Sequence, residues 1–126
     1  ARGQTEAALQ NYSAGDRIAA VAGDAELGWR LGFAQGQVLE ALGRDAEAVD
    51  AYRRSASTIE SVRSQLREER FRAGYIEDKY QVYVALVRLL LKMGRAGDAF
   101  HFAERLRARS YADLVARGAP RATRSA

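Results

Sequence analysis

The chain has 126 residues, a formal net charge of +4 and no cysteine, a length sufficient for one compact domain or for two to three helical hairpins. The missing cysteine excludes a disulfide framework, a thiolate metal site and a cysteine nucleophile, and no stretch approaches the roughly 20 apolar residues of a membrane span. Acidic residues are interspersed with the arginines, which favours a solvated, ion-paired surface over a nucleic-acid patch.

The N-terminal region and the absence of cysteine indicate in which cellular compartment the protein is located. Residues 1–15 lack the apolar run of a secretory leader, and a cysteine-free composition fits a reducing environment. We therefore predict a cytoplasmic protein. Because the chain opens inside a helical pattern without an initiator methionine, we expect it to be a piece of a longer protein.

Good helix formers dominate the composition, and the β-branched residues never alternate as they would in a strand. We therefore predict an all-α fold of about five helices. Apolar residues recur at helical spacing over residues 5–22, 25–42, 46–66, 80–91 and 96–117. The sequence leaves open whether the third and fourth helices are continuous or separated by a break near residues 66–70.

Glycines and small polar residues predict where these helices begin and end. Thr5 and Asp45 are the expected N-caps of the first and third helices. Gly43 is expected in the left-handed conformation at the end of the second helix. Gly23 is expected to end the first helix, and Asp24 to cap the second.

The second and fourth helices end in similar turns. Leu42-Gly43-Arg44 is matched 51 residues later by Met93-Gly94-Arg95, and Ala48 and Ala99 each stand five residues after the turn glycine. Helical hairpins that repeat in this way bury their apolar faces against neighbours of the same kind. The pattern therefore predicts antiparallel hairpins that stack on one another.

The repeated units resemble the tetratricopeptide repeat family. The residues that carry the resemblance are Gly36, Leu39, Leu42, Gly43, Ala48 and Tyr52 in one unit and Tyr83, Leu86, Leu90, Gly94 and Ala99 in the next. The sequence departs from the family at Gly32, Val87 and Ala103, and its helices are longer than a unit of about 34 residues requires. The resemblance implies a right-handed solenoid over residues 1–118, followed by a frayed polar tail at 119–126.

A narrower resemblance covers roughly residues 59–117. The segments that look like the final repeats upstream of caspase-like CHAT domains in bacterial proteins are 71–79, 82–83, 86–90, 103–110 and 112–114. The resemblance implies that a peptidase-like domain follows Arg117 in the parent protein and is regulated by the repeats. The His and Cys pair of such a domain is not in this chain, which has no cysteine.

The tetratricopeptide resemblance also implies a binding groove, lined by the first helix of each hairpin. The groove-facing positions would be Arg30, Phe33, Gln37 and Glu40 on the second helix and Gln81, Val84, Arg88, Leu91 and Lys92 on the fourth. Arg30, Arg88 and Lys92 would pair with acidic side chains or with the carboxylate of an extended peptide. The expected partner is a protein or peptide of acidic character, and the alternative is that these are ordinary solvated positions.

The first and fifth helices each lack a hairpin neighbour in this scheme. Their apolar residues are candidates for pairing between copies, as a homodimer. These residues are Tyr12, Ile18, Tyr111, Leu114 and Val115. The sequence leaves the oligomeric state open.

No group of residues predicts catalysis, a metal site or a cofactor. His101 is the only histidine, and a catalytic histidine needs a nucleophile or an orienting acid within reach. The chain is therefore predicted not to be an enzyme. An arginine-rich helical nucleic-acid binder is kept as the alternative function, although no aromatic residue is interleaved for base stacking. Its arginines would be Arg105, Arg107, Arg109, Arg117, Arg121 and Arg124.

Overall fold

The structure is a computed structural model that describes residues 2–66 and 79–117, with side chains over 3–66 and 79–108. Every element within these ranges is a helix. They are α1 (Arg2–Ala22), α2 (Ala25–Ala41), α3 (Asp45–Gln65), α4 (Tyr80–Lys92) and α5 (Ala96–Arg117). The all-α prediction is confirmed, and the chain divides into two compact units, Ala1–Ile59 and Glu60–Ala126.

Two of the predicted helix starts are wrong in position. α1 begins at Arg2, so Thr5 lies inside the helix and does not cap it. An N-cap contributes only about 1 kcal/mol, and the arginine and glutamine before Thr5 are good helix formers. Asp45 is the first residue of α3 rather than the residue before it, where its negative charge complements the helix N-terminus.

The described helix-to-helix turns follow one pattern. Gly23, Gly43 and Gly94 have φ angles of 73°, 75° and 75°, a region that residues with a Cβ disfavour. In each turn the residue after the glycine donates its backbone N–H to the carbonyl five residues earlier, over 2.8–2.9 Å. These bonds satisfy carbonyls at the helix end. The predicted left-handed Gly43 is confirmed, and Asp24 caps α2 by accepting from the backbone N–H of Leu27 over 3.0 Å.

The turns after α2 and α4 correspond in further detail. In both, the glycine N–H donates to the carbonyl three residues earlier over 3.0 Å. In both, the arginine that follows the glycine, Arg44 or Arg95, forms an ion pair with the acid three residues later. The sequence repeat is therefore a repeat of local structure.

In the first unit, α2 and α3 approach most closely at two glycines of α2. A Cβ at residue 36 would lie 2.4 Å from Cε1 of Tyr52, and a Cβ at residue 32 would lie 3.3 Å from Cβ of Ser55. The buried Ser55 hydroxyl donates to the backbone carbonyl of Trp29 over 2.7 Å. Small residues on α2 thus bring the two helices together, and Trp29 is buried beside this contact.

α1 packs on the other side of α2 in the same unit. Leu9 and Ala19 of α1 are buried, and the amide of Gln35 donates to the hydroxyl of Ser13 over 3.2 Å. An ion pair of 3.2 Å joins Glu6 of α1 to Arg44 in the turn that follows α2. Both apolar and polar contacts therefore fix α1 in this unit.

The second unit has its core on α4. Its buried residues are Val82, Tyr83, Ala85, Leu86, Leu89 and Leu90. The Tyr83 hydroxyl donates to Oε1 of Glu60, near the end of α3, over 2.8 Å, and Ala99 and Phe102 of α5 are buried. α3 ends at Gln65. Residues 67–78, which include most of the region where the sequence left a break open, and the tail 119–126 lie outside the described residues.

Candidate interaction surfaces

Four predicted groove residues lie on α2 at intervals of three and four residues. They are Arg30, Phe33, Gln37 and Glu40, hereafter the α2 surface. This spacing places them along one face of the helix. Gln37 and Arg30 are exposed, whereas Phe33 and Glu40 are half-buried.

Arg30 is held by its own helix. Its Nη2 lies 3.1 Å from Oε1 of Glu26, and its guanidinium carbon lies 5.6 Å from the centre of the Trp29 ring. The same glutamate accepts from Nε1 of Trp29 over 2.9 Å. Arg30 therefore has an acidic partner already, and an incoming carboxylate would have to compete with Glu26.

Tyr52 of α3 supports the other half of the α2 surface. Its hydroxyl donates to Oε1 of Glu40 over 2.9 Å, and its ring centre lies 5.8 Å from that of Phe33. Tyr52 is itself buried because Gly36 leaves space for its ring. From the sequence, Gly36 and Tyr52 were identified only as repeat residues. The hydrogen bond by which Tyr52 holds Glu40 was not predicted.

Five predicted groove residues lie on α4, and all five are exposed. They are Gln81, Val84, Arg88, Leu91 and Lys92, hereafter the α4 surface. Val84 is 52% and Leu91 57% exposed. Since the six buried residues of α4 lie between them in sequence, the helix has one covered face and one open face with two large apolar side chains.

The α4 surface differs from the α2 surface in charge. The sequence of α4, YQVYVALVRLLLK, contains two basic residues and no acid. Arg88 makes no hydrogen bond or ion pair with any other described residue. Because Val84 and Leu91 lie one turn to either side of Arg88, the surface presents a cation between two apolar side chains.

The clefts that the sequence did not predict include two in the first unit. One, of about 360 Å³, lies between α1 and α2 and is lined largely by polar residues; its Arg44 is bound by Glu6 and Glu47. The other, of about 320 Å³, has Gly28 and Gly32 among the residues of its lining. None of the predicted groove residues lines either cleft.

The residues predicted for self-association differ in their solvent exposure. Ile18 is exposed on α1, but Tyr12 is half-buried. Tyr111, Leu114 and Val115 belong to α5, and their side chains lie outside the described residues. Val21, on the same helix as Ile18, is 91% exposed.

Two arginines of the nucleic-acid alternative, Arg105 and Arg107, contact residues of their own helix. Arg107 pairs with Glu104 over 2.7 Å, and the hydrogen bond between them raises the pKa of the arginine. The guanidinium carbon of Arg105 lies 5.6 Å from the centre of the Phe102 ring. Arg109, Arg117, Arg121 and Arg124 lie outside the residues whose side chains are described.

Few side chains in the described ranges are of the types that commonly catalyse reactions or bind metal ions. His101 is exposed, with its ring 5.4 Å from that of Phe102. Among residues 2–66 and 79–117, no cluster of three or more His, Cys, Asp or Glu could hold a metal ion. None of the described helices is both long enough and apolar enough to cross a membrane.

Comparison with known proteins identified no relative. No protein-family model, no curated protein and no solved structure matches this chain. Function is therefore inferred from the residues and their geometry alone.

Proposed function

We propose that the chain is a protein-interaction module of the tetratricopeptide type that binds an acidic peptide segment through its α4 surface. The observation that carries the proposal is the exposed row Val84, Arg88 and Leu91, opposite six buried residues of the same helix. Exposed apolar side chains around a cation, on an otherwise well-packed helix, are typical of interaction sites.

The chemistry of the α4 surface selects the partner. A carboxylate would bind Arg88, which lacks a partner among the described residues, and charge-assisted hydrogen bonds are about twice as strong as neutral ones. Val84 and Leu91 would bury against apolar residues placed on both sides of that carboxylate. The α2 surface is a weaker candidate, because Arg30 is paired with Glu26 and Glu40 would repel an acid.

The proposal extends to the arrangement of the repeats. In it, the hairpins stack as a right-handed tetratricopeptide-like solenoid, and in the parent protein they regulate a CHAT peptidase-like domain in the cytoplasm. The identical turns at Gly43 and Gly94 support the repeat. The contacts of Gly36 with Tyr52 support close packing within a hairpin.

Fluorescence polarisation with a labelled peptide tests the proposal. The probe carries two leucines on each side of paired glutamates, and its counterpart has lysines in place of the glutamates. We expect the acidic peptide alone to bind at moderate salt, and Arg88→Glu to weaken binding by about tenfold or more, since it removes one charge-assisted contact and adds repulsion.

Arg17→Glu is the matched control, because Arg17 is also an exposed helical arginine but lies on α1. It makes the same charge change and should leave the affinity within about twofold. Equal binding of the two peptides, or an unchanged affinity in Arg88→Glu, would contradict the proposal. Tight binding of a single-stranded oligonucleotide that falls steeply with salt would favour the nucleic-acid alternative instead.

A further inference from the structure

Another cleft of the first unit, of about 250 Å³, is lined by residues of α1, α2 and α3 and of the turn between α1 and α2. Alanines and glycines form most of its wall. Its polar side chains are Asp16 of α1, Asp24 at the start of α2 and Thr58 of α3. This cleft, hereafter the Gly28 cleft, therefore combines a largely apolar wall with two carboxylates and one hydroxyl group.

Gly28 of α2 keeps this cleft open. It lines both the Gly28 cleft and the cleft of about 320 Å³ described above, and Asp16 and Thr58 also line both. A Cβ at residue 28 would meet no atom within 4 Å. Because α2 carries no side chain at this position, the space over its backbone is open to a small molecule.

The polar side chains of the Gly28 cleft can accept hydrogen bonds but have none left to donate. Asp16 is half-buried and makes no hydrogen bond or ion pair with any other described residue. One oxygen of Asp24 accepts from the backbone N–H of Leu27 over 3.0 Å, which leaves its second oxygen available. Thr58 donates its hydroxyl hydrogen to the carbonyl of Arg54 over 3.0 Å, so its oxygen acts here as an acceptor. A matching ligand must supply both positive charge and hydrogen-bond donors.

We propose that the Gly28 cleft binds a short linear aliphatic diamine, with one ammonium group at Asp16 and the other at Asp24. Each ammonium group carries three N–H donors, and its hydrogen bonds to a carboxylate are charge-assisted. The methylene chain between the two groups would bury apolar surface against the alanines and the backbone at Gly28. The cleft is smaller than the roughly 300–1,000 Å³ of most ligand pockets, which fits a ligand of this size.

The lining of the Gly28 cleft favours a diamine over a metal ion. Calcium takes roughly six to eight oxygen ligands, whereas this cleft offers two carboxylates. Within residues 2–66 and 79–117, no group of three or more His, Cys, Asp or Glu could hold a metal ion. An alanine wall also adds nothing to the binding of a bare cation, but it stabilises a methylene chain by removing it from water.

An NMR titration of the isotope-labelled full chain at constant ionic strength tests the proposal. 1,4-Diaminobutane should shift the backbone amide signals of Gly23 and Gly28 in a saturable manner. 1-Aminobutane should bind about tenfold more weakly, because it lacks one of the two charge-assisted contacts. 1,4-Butanediol has the same chain length but no charge and should leave both signals in place. Equal binding of the diamine and either of these compounds would overturn the proposal.

Asp16→Asn should weaken the binding of 1,4-diaminobutane by about tenfold, since it removes one negative charge and keeps the size of the side chain. Asp50→Asn is the matched control. Asp50 is an exposed aspartate of α3 that is not among the residues lining either cleft, and its replacement makes the same charge change. It should leave the affinity unchanged. An equal effect of the two substitutions would contradict the proposed contact.

Gly28→Leu tests whether the cleft itself, rather than surface charge, binds the diamine. Leucine is a good helix former and position 28 has space for a side chain, so the circular dichroism spectrum should stay unchanged while the cleft is filled. Binding of 1,4-diaminobutane should be lost, and binding retained by the folded variant would overturn the proposal. Magnesium chloride should leave the two glycine signals in place, and a response as large as that to the diamine would also overturn it.

Discussion

Gly36 and Tyr52 are in contact so close that no other residue type fits at position 36 without a shift of the ring. A Cβ there would lie 2.4 Å from Cε1 and 2.5 Å from Cδ1 of Tyr52. Tyr52 is buried, and its hydroxyl holds Glu40 of the α2 surface. The buried contact between Gly36 and Tyr52 thus positions the Tyr52 hydroxyl that holds the half-buried Glu40 side chain.

Gly36→Ala should destabilise the chain despite the better helix propensity of alanine. Overpacking a core costs about 1–3 kcal/mol, whereas the change from Gly to Ala in a helix gains up to about 1 kcal/mol. Urea denaturation followed by circular dichroism measures the difference. Gly28→Ala is the control, as nothing lies within 4 Å of a Cβ there, and it should raise the free energy of unfolding by about 0.5–1 kcal/mol. If both variants gain stability, the Gly36 contact is not as close as described.

Tyr52→Phe should lower the free energy of unfolding by about 0.5–1.5 kcal/mol, the usual net value of one hydrogen bond. It removes the donor to Glu40 while keeping the ring beside Gly36. A double-mutant cycle with Glu40→Gln, read by urea denaturation, separates the pair from other effects of each change. Tyr83→Phe, which removes a bond of the same kind to Glu60 in the second unit, should cost a similar amount. Strict additivity in the cycle would show that the Tyr52–Glu40 bond contributes nothing.

Gly94→Ala should destabilise the second unit, because Gly94 has a φ of 75° and a left-handed conformation costs a residue with a Cβ about 1–2 kcal/mol. Gly94→Asn should cost less, since asparagine tolerates this region better. Thermal melts of the two variants, compared with Gly43→Ala, measure the effect. Equal melting temperatures for Gly94→Ala and the wild type would contradict the turn geometry.

Arg44 should control the titration of Glu47. The hydrogen bond from Arg44 lowers the pKa of Glu47 below its usual value, aided by the positive charge of the arginine. Because the carboxyl pKa is lower in the folded state, the stabilisation is fully present above the pKa of an unfolded glutamate. It is lost as the pH falls through the lowered, folded value.

Arg44→Gln should therefore raise the pKa of Glu47 toward its ordinary value, which an NMR titration of the side-chain carboxyl carbon would detect. Both groups are exposed, so the contribution to stability is small and decreases with salt. Arg95→Gln, at the equivalent turn, is the control that should leave Glu47 unchanged. A Glu47 pKa that does not move in Arg44→Gln would show that the ion pair is absent in solution.

Features that depend on neighbours along the chain could be predicted from the amino-acid sequence. Helical spacing and the lack of strand patterns predicted an all-helical protein, and Gly43, with its counterpart Gly94, marked turns that the structure confirms. The tetratricopeptide resemblance implied that Val84, Arg88 and Leu91 face one groove, and all three are exposed on α4, where their spacing places them on one side of the helix.

The residues that each helix face contacts could not be predicted in this way, because they depend on how the helices pack. Phe100 and Val49 occupy equivalent positions, yet one is exposed and the other buried. The bond from Tyr52 to Glu40 and that from Ser55 to Trp29 join residues 12 and 26 positions apart. Periodicity within a helix gives the direction of a side chain but carries no information about the helix that packs against it, so these contacts depend on how the hairpins fold together.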